Sequence, residues 1–98
     1  MPVYVVALIR IDDRARYGEY ESGFMDIFER YQGRILAVDD DGRALEGDWN
    51  HTRTVLLEFP NDTALQAWYD SDDYQALMQH RLAASSANIG VIQGRQGS

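Results

Sequence analysis

The sequence predicts an α+β fold in which four antiparallel strands form one sheet and the helices cover one face of it. Two runs rich in Val, Ile and Leu, residues 3–11 and 52–59, have the composition of long strands. Each run is followed by apolar residues at helical spacing, after an Asp or Asn that can cap a helix. The 98 residues suffice for one domain, expected over residues 1–94, with residues 95–98 as a polar tail.

In the first half, Asp12 or Asp13 can cap a helix whose aromatic residues recur at helical spacing as far as Tyr31. Gly33 is expected to end this helix in the left-handed conformation. Residues 34–38 then return as the second strand.

In the second half, Asp41-Gly42 is a hairpin signal, after which residues 43–47 could form a short edge strand. Pro60 ends the next long strand, and a helix capped by Asn61 or Asp62 follows. A further helix starts within residues 70–73, with its apolar stripe predicted at Tyr74, Leu77, Met78 and Leu82. With a last strand at residues 87–93, the order is β-α-β-β-α-β, the ferredoxin-like arrangement.

The first strand is apolar on both of its faces. Tyr4, Val6 and Leu8 point one way, and the Val, Ala and Ile residues between them point the other way. A sheet covered by helices on one side should instead alternate apolar with polar residues. The uncovered face would expose more than the roughly 300–600 Å² usual on monomers. We therefore expect a homodimer that packs through the helix-free face of the sheet.

The acidic composition excludes several classes of partner. The net charge is −7, and the nine basic residues are all Arg. We therefore expect no nucleic-acid partner and no binding to an anionic membrane surface. The absence of cysteine excludes disulfides, zinc–thiolate sites and thiol nucleophiles. Without a signal-peptide pattern or an apolar run of about 20 residues, a soluble cytoplasmic protein is expected.

The sequence indicates no metal site and no cofactor. The two histidines, His51 and His80, do not form a metal pair on one helix turn. Residues 70–81 lack the Gly and the Glu that an EF-hand calcium loop needs. Glycine-rich phosphate loops and nucleotide fingerprints are absent.

The residues best suited to a ligand site lie around the third strand. Arg53 can donate two N–H groups to a carboxylate, and His51 can transfer a proton near neutral pH. Trp49 and Tyr4 can line a pocket, and Glu58 is a second candidate base. We therefore predict substrate binding by Trp49, Arg53 and Tyr4, and catalysis by His51 and Glu58, for a small acidic or phenolic substrate.

The alternative is that these residues are structural. Arg53 and Glu58 could form ion pairs, also across the dimer, while Trp49 packs over the barrel mouth. An odd number of positions separates the two charged residues, so a regular strand points them to opposite faces. The remaining aromatic residues are expected mainly in the core: Tyr17, Tyr20, Tyr31, Trp68, Tyr69 and Tyr74. His80 and Arg81 are expected to face solvent or to interact with the helix dipole.

Several motifs resemble those of the dimeric α+β barrel superfamily and, within it, of the domain of unknown function 1330 family. The resemblance covers residues 2–94. It includes the motifs Tyr31-Gln32-Gly33, Glu46-Gly47-Asp48-Trp49, Glu58-Phe59-Pro60 and Ala67-Trp68-Tyr69-Asp70-Ser71, together with Tyr20, Arg53, Tyr74 and Arg81. It implies the fold and the dimer but no reaction. The wider superfamily includes monooxygenases, lactone isomerases and haem-degrading proteins, and by analogy with these His80 would be a haem ligand.

Two functions remain open from the sequence. The first is a small-molecule-binding protein, or a cofactor-free enzyme, for a small organic acid held between sheet and helices or at the dimer seam. The second is a non-catalytic dimerisation or ligand-sensing module in which the same polar residues only stabilise the barrel.

Overall fold

Residues 2–95, which the computed structural model describes, form one four-stranded sheet with three α-helices and a 3₁₀ turn. The elements are β1 (Val3–Ile11), α1 (Arg14–Phe28), the 3₁₀ turn (Glu29–Tyr31), β2 (Arg34–Asp39), β3 (Arg53–Phe59), α2 (Asp62–Tyr69), α3 (Asp72–Ala84) and β4 (Ser85–Gln93). Most of the predicted polar tail, residues 96–98, lies outside the described residues. Within residues 2–95, no helix is both long and apolar enough to cross a membrane.

The sheet has the strand order β2-β3-β1-β4, and every neighbouring pair is antiparallel. The central strand β1 pairs Val3 with Phe59 on one side and with Gln93 on the other. All helices pack on one face, where alternate residues of β1 and β3 are buried. This architecture confirms the predicted ferredoxin-like fold.

The first two helix starts are capped by side chains that the sequence suggests, and the third is capped by Ser71, within its predicted start. Asp13 Oδ1 accepts a hydrogen bond from Arg16 N, at 3.1 Å. Asn61 Oδ1 accepts from Ala64 N at 2.8 Å, and Ser71 Oγ accepts from Tyr74 N at 3.1 Å. Each cap satisfies a backbone N–H that has no partner within the helix.

The left-handed residue after the first helix is Gln32, with φ 64°, and not Gly33 as predicted. Gly33 is needed for a different reason. A Cβ atom added there would lie 2.4 Å from Cζ of Phe28 and 3.0 Å from Cε1 of Phe59. The glycine therefore allows two core aromatic rings to approach the backbone.

The predicted edge strand at residues 43–47 is wrong, because this segment is an irregular loop. Its one large apolar side chain, Leu45, is 87% exposed, and Gly47 adopts a positive φ of 77°. Pairing this segment with the sheet would bury almost no apolar surface, so nothing offsets the entropy of ordering it. The last strand begins at Ser85, two residues earlier than expected.

The buried stripe of α3 also differs from the prediction. Leu82 is 53% exposed, whereas Arg81 is 5% exposed. With 3.6 residues per turn, Arg81 lies about 20° from Tyr74 around the helix axis, while Leu82 lies about 80° away. α3 therefore buries Arg81, whereas the hydrophobic pattern predicted that the neighbouring Leu82 would be buried.

Candidate functional site

A cavity of about 400 Å³ lies between the sheet and the helices. Its sheet wall consists of apolar side chains from the helix-facing side of all four strands, such as Val5, Leu57, Ile35 and Ile89. The helices supply mainly aromatic side chains: Tyr17, Tyr20, Phe24, Trp68, Tyr69 and Tyr74. This volume and this mostly apolar lining are typical of small-molecule sites.

One polar part of the cavity wall is formed by Tyr20 of α1 with Tyr74 and Arg81 of α3. The hydroxyl oxygens of Tyr20 and Tyr74 are 2.7 Å apart and share a hydrogen bond. The guanidinium carbon of Arg81 lies 5.8 Å from the centre of the Tyr20 ring. All three side chains are buried. They meet because α1 packs against α3, and because Tyr74 and Arg81 are two helical turns apart on one face.

Arg81 carries a buried charge without a protein counter-ion. Among residues 2–95, no carboxylate lies within 4.0 Å of its guanidinium. Its Nε atom is shielded from solvent and has no hydrogen-bond partner, and the same holds for Nε1 of Trp68, which also lines the cavity. Buried charges in proteins are normally paired with an opposite charge, whereas the polar partners of this guanidinium are the hydroxyls of Tyr20 and Tyr74.

The neighbouring tyrosines do not neutralise Arg81 at physiological pH. Burial raises the pKa of Tyr20 far above its usual 10, and the nearby Tyr74 hydroxyl raises it further. Burial also raises the pKa of Tyr17 and, against the opposing effects of Tyr20 and Arg81, that of Tyr74. These phenols therefore stay neutral and can donate hydrogen bonds beside a cation.

Arg53 lines the cavity too, but its charge is paired. Its guanidinium contacts Glu21 of α1 at 2.8 Å and Asp40 of the loop after β2 at 3.2 Å. Its Cζ lies 5.7 Å from the centre of the Tyr17 ring. The pairing with two carboxylates corresponds to the structural alternative for Arg53, although its place on the cavity wall also fits a role in binding.

Trp49 and His51 lie in the loop between β2 and β3 and are not part of the cavity wall. Their rings contact each other edge to face, with centroids 5.4 Å apart. Trp49 packs over Gly42, where an added Cβ would lie 2.9 Å from its Nε1. His51 Nδ1 is buried and has no hydrogen-bond partner. Their predicted functions stay predictions.

Tyr4 and Glu58 lie on the helix-free face of the sheet, where they are direct cross-strand neighbours. Glu58 pairs with Arg34 of β2 at 3.2 Å. Arg53 and Glu58 point to opposite faces, as their odd separation predicts. The structure therefore does not bring the five predicted site residues together, and Tyr4 and Glu58 stay candidates only for the dimer seam.

Arg81 is the residue that sequence reasoning misplaced, since it was expected at the surface. The tyrosines Tyr20 and Tyr74 were expected in the core, where they lie, but not as part of a polar cluster. A signal was present: Tyr74, Met78 and Arg81 follow the i, i+4, i+7 spacing of one helix face. His80, one residue away from Arg81, lies outside the cavity. Its Nδ1 atom is 3.1 Å from Nε of Arg16 and 3.3 Å from Oε2 of Glu19.

The sequence profile of the family described as Domain of unknown function (DUF1330) matches residues 2–95 and confirms the resemblance drawn from the motifs. No curated protein matches the chain in sequence.

Three solved structures illustrate the fold similarity. A protein of unknown function from Rhodopseudomonas palustris superposes with a TM-score of 0.83 at 18% identity, over 97% of this chain and 83% of that chain. SnoaB, a cofactor-independent oxygenase from Streptomyces nogalater, superposes with a TM-score of 0.71 at 12% identity, over 97% of this chain and 94% of that chain. A dimeric ferredoxin-like protein of unknown function from Jannaschia sp. CCS1 superposes with a TM-score of 0.71 at 10% identity, over 96% of this chain and 100% of that chain. The similarities show the fold.

Proposed function

We propose that this chain, which belongs to the DUF1330 family, binds a small organic acid in the cavity between its sheet and its helices. The observation that carries this proposal is Arg81. The residue is 5% exposed and lines the cavity, and its guanidinium has no carboxylate within 4.0 Å among residues 2–95. An acidic ligand would supply the missing counter-ion.

The physical basis is the cost of an uncompensated buried charge. A carboxylate can accept two parallel N–H groups from an arginine, and such charge-assisted bonds are stronger than neutral ones. The hydroxyls of Tyr20 and Tyr74 share one hydrogen bond, so the proton of one of the two hydroxyls stays available to be donated to a bound anion. The mainly apolar remainder of the wall would exclude water and strengthen these interactions.

An enzyme without a cofactor is the form of this function that the polar cluster favours. Neutral phenols beside a cation are suited to stabilise negative charge that develops on a bound substrate. The similarity in fold to SnoaB, a cofactor-independent oxygenase, is compatible with this proposal. His51 and Glu58, the bases that the sequence predicted, do not line the cavity.

We propose further that two copies pack through the helix-free sheet face and act in the cytoplasm. Val6, Leu8 and Leu56 on that face are only partly buried in one chain. Ile92, paired with Tyr4 on the same face, is exposed. A second copy would cover this apolar surface.

The proposed function is tested by isothermal titration calorimetry with benzoate and naphthoate. Wild-type protein should bind at least one of them, and Arg81→Gln should bind it at least about tenfold more weakly, because a charge-assisted bond is lost. Arg14→Gln, the same substitution at an exposed position on α1, is the matched control and should bind like wild type.

The thermal stability of the same variants separates a binding role from a structural one. Without ligand, Arg81→Gln should have a Tm at or above that of wild type, because it removes a buried cation that has no carboxylate partner. Two results together would establish the non-catalytic, structural alternative: a Tm several degrees lower, and no binding of either acid by wild type.

A further inference from the structure

The charged groups on the cavity wall are distributed unevenly. Among the lining residues, the charged side chains are Glu21, Arg53 and Arg81. Arg53 is paired with Glu21 and also with Asp40, so this cluster carries one guanidinium and two carboxylates, a formal net charge of minus one. Arg81 has no carboxylate within 4.0 Å among residues 2–95. The charge of Arg81 is therefore not balanced by a carboxylate. Arg53, in contrast, is paired with one carboxylate more than its charge requires.

This distribution limits the number of anionic groups on a ligand. One carboxylate can pair with Arg81. A second would face either apolar and aromatic side chains, where an unpaired charge is costly, or the Arg53 cluster, whose net charge would repel it. Glu21 and Asp40 are each partly exposed, with side-chain exposures of 39% and 47%, so this repulsion acts where the cavity meets solvent.

The rest of the wall indicates the shape of the ligand. The rings of Trp68 and Tyr74 lie 4.3 Å apart, centroid to centroid, and Tyr20 contacts Tyr74 edge-on at 6.2 Å. Flat aromatic walls favour flat aromatic partners, since aromatic pairs gain energy beyond the area they bury. At roughly 30 Å³ per water molecule, the cavity of about 400 Å³ corresponds to about a dozen small non-hydrogen groups.

We propose that the ligand is an aromatic monoanion: one carboxylate or enolate bound by Arg81 and the Tyr20–Tyr74 pair, on a planar body of one or two rings, with no second anionic group. This inference rests on the proposed function and specifies its substrate class. The Arg53 cluster then acts as a selectivity element that rejects dianions.

The experiment compares three ligands of similar shape on wild-type protein by calorimetry. They are naphthoate, its neutral amide, and a naphthalene dicarboxylate with the second carboxylate at the far end of the ring system. Naphthoate should bind most tightly. The amide should bind at least about tenfold more weakly than naphthoate because it brings no charge to Arg81. The affinity for the dicarboxylate should be lower than that for naphthoate by about the same factor.

A substitution at the rim tests the cause of the selectivity. Glu21→Gln reduces the net charge of the Arg53 cluster to zero, so it should bring dicarboxylate binding to within about threefold of naphthoate binding while leaving naphthoate unchanged. Glu19→Gln, exposed on the same helix and outside the cavity, is the matched control and should change neither affinity. For wild-type protein, a higher salt concentration should reduce the difference in affinity between naphthoate and the dicarboxylate, since exposed charges are screened.

The possible failures are distinguishable. If wild type binds a saturated acid such as cyclohexanecarboxylate through Arg81 but neither benzoate nor naphthoate, the function stands and the aromatic inference is wrong. If it binds none of the three acids, or binds the amide as tightly as naphthoate, the proposed function itself is overturned. If naphthoate binds through Arg81 but the dicarboxylate binds equally well, the function stands and the monoanion inference is wrong. An unchanged naphthoate-to-dicarboxylate ratio in Glu21→Gln would overturn the role assigned to the Arg53 cluster.

Discussion

The hydroxyls of Tyr20 and Tyr74, joined at 2.7 Å inside the molecule, illustrate how burial changes the chemistry of single residues. Each phenol keeps its proton because burial disfavours the phenolate more than the nearby Arg81 favours it, so the pKa of both groups is raised. Arg81 cannot respond in the same way, since a guanidinium does not deprotonate in proteins. The cluster therefore combines neutral donors with a permanent cation, which is the combination suited to an anion.

At the residue scale, the raised pKa of Tyr20 predicts how stability depends on pH. Its pKa is higher in the folded than in the unfolded chain, so its stabilising effect is fully present below about pH 10 and is lost as pH rises further. Tyr20→Phe should flatten this alkaline decline by up to about 1.4 kcal/mol per pH unit.

The measurement is urea unfolding of both proteins at a series of pH values between neutral and strongly alkaline. The slope against pH is the readout, because the substitution also removes the hydrogen-bond partner of Tyr74 and lowers stability at every pH. Parallel curves for wild type and variant would show that Tyr20 does not contribute to the decline.

At the element scale, short capped helices depend on their first turn. α2 is two turns long, and the side chain of Asn61 satisfies the N–H of Ala64 at its start. Trp68, near the end of this helix, is buried between Phe28, Phe59 and Tyr74. The Asn61 cap therefore stabilises α2, the helix that places Trp68 in the cavity wall.

We expect Asn61→Ala to lower the free energy of unfolding by about 1 kcal/mol, because the N–H of Ala64 loses its acceptor. The change is measured by urea unfolding. Thr63→Ala, at an exposed position of the same first turn, is the control and should cost less than about 0.5 kcal/mol. Equal losses in both variants would contradict a specific role for the cap.

At the scale of the whole molecule, one face of the sheet is packed against helices and the other is left uncovered by the described residues. Tyr4, Val6 and Leu8 of the central strand are partly exposed on that second face. Covering this apolar surface is the reason for the proposed homodimer. The choice of interface follows from the apolar character of this surface.

If the helix-free face is the interface, Val6→Arg should convert the dimer to monomer, because it places an unpaired charge in an apolar seam. The dimer dissociation constant should rise by at least about 100-fold. The measurement is light scattering after size-exclusion chromatography at micromolar concentration. Ala83→Arg, exposed on α3, is the matched control and should stay dimeric. A monomeric wild type, or a dimeric Val6→Arg, would exclude this interface.

Local sequence determined the strands, the capped helices and their order, because each depends on neighbours within a few positions. Asp13, Asn61 and Ser71 cap helices through residues three positions away, and the two-residue period of a strand fixes which side chains of β1 and β3 share a face. From this pattern, the fold and the opposite orientations of Arg53 and Glu58 could be predicted.

Only the tertiary structure decided where the candidate site lies, because that depends on contacts between distant segments. Tyr20 and Tyr74 are 54 positions apart, and Arg53 meets Glu21 and Asp40 only once the sheet and α1 have packed. Hydropathy assigns an arginine to the surface, so it could not reveal that Arg81 is buried against a cavity. Gly33 was likewise misjudged, since its role is set by the rings of Phe28 and Phe59 rather than by the local chain.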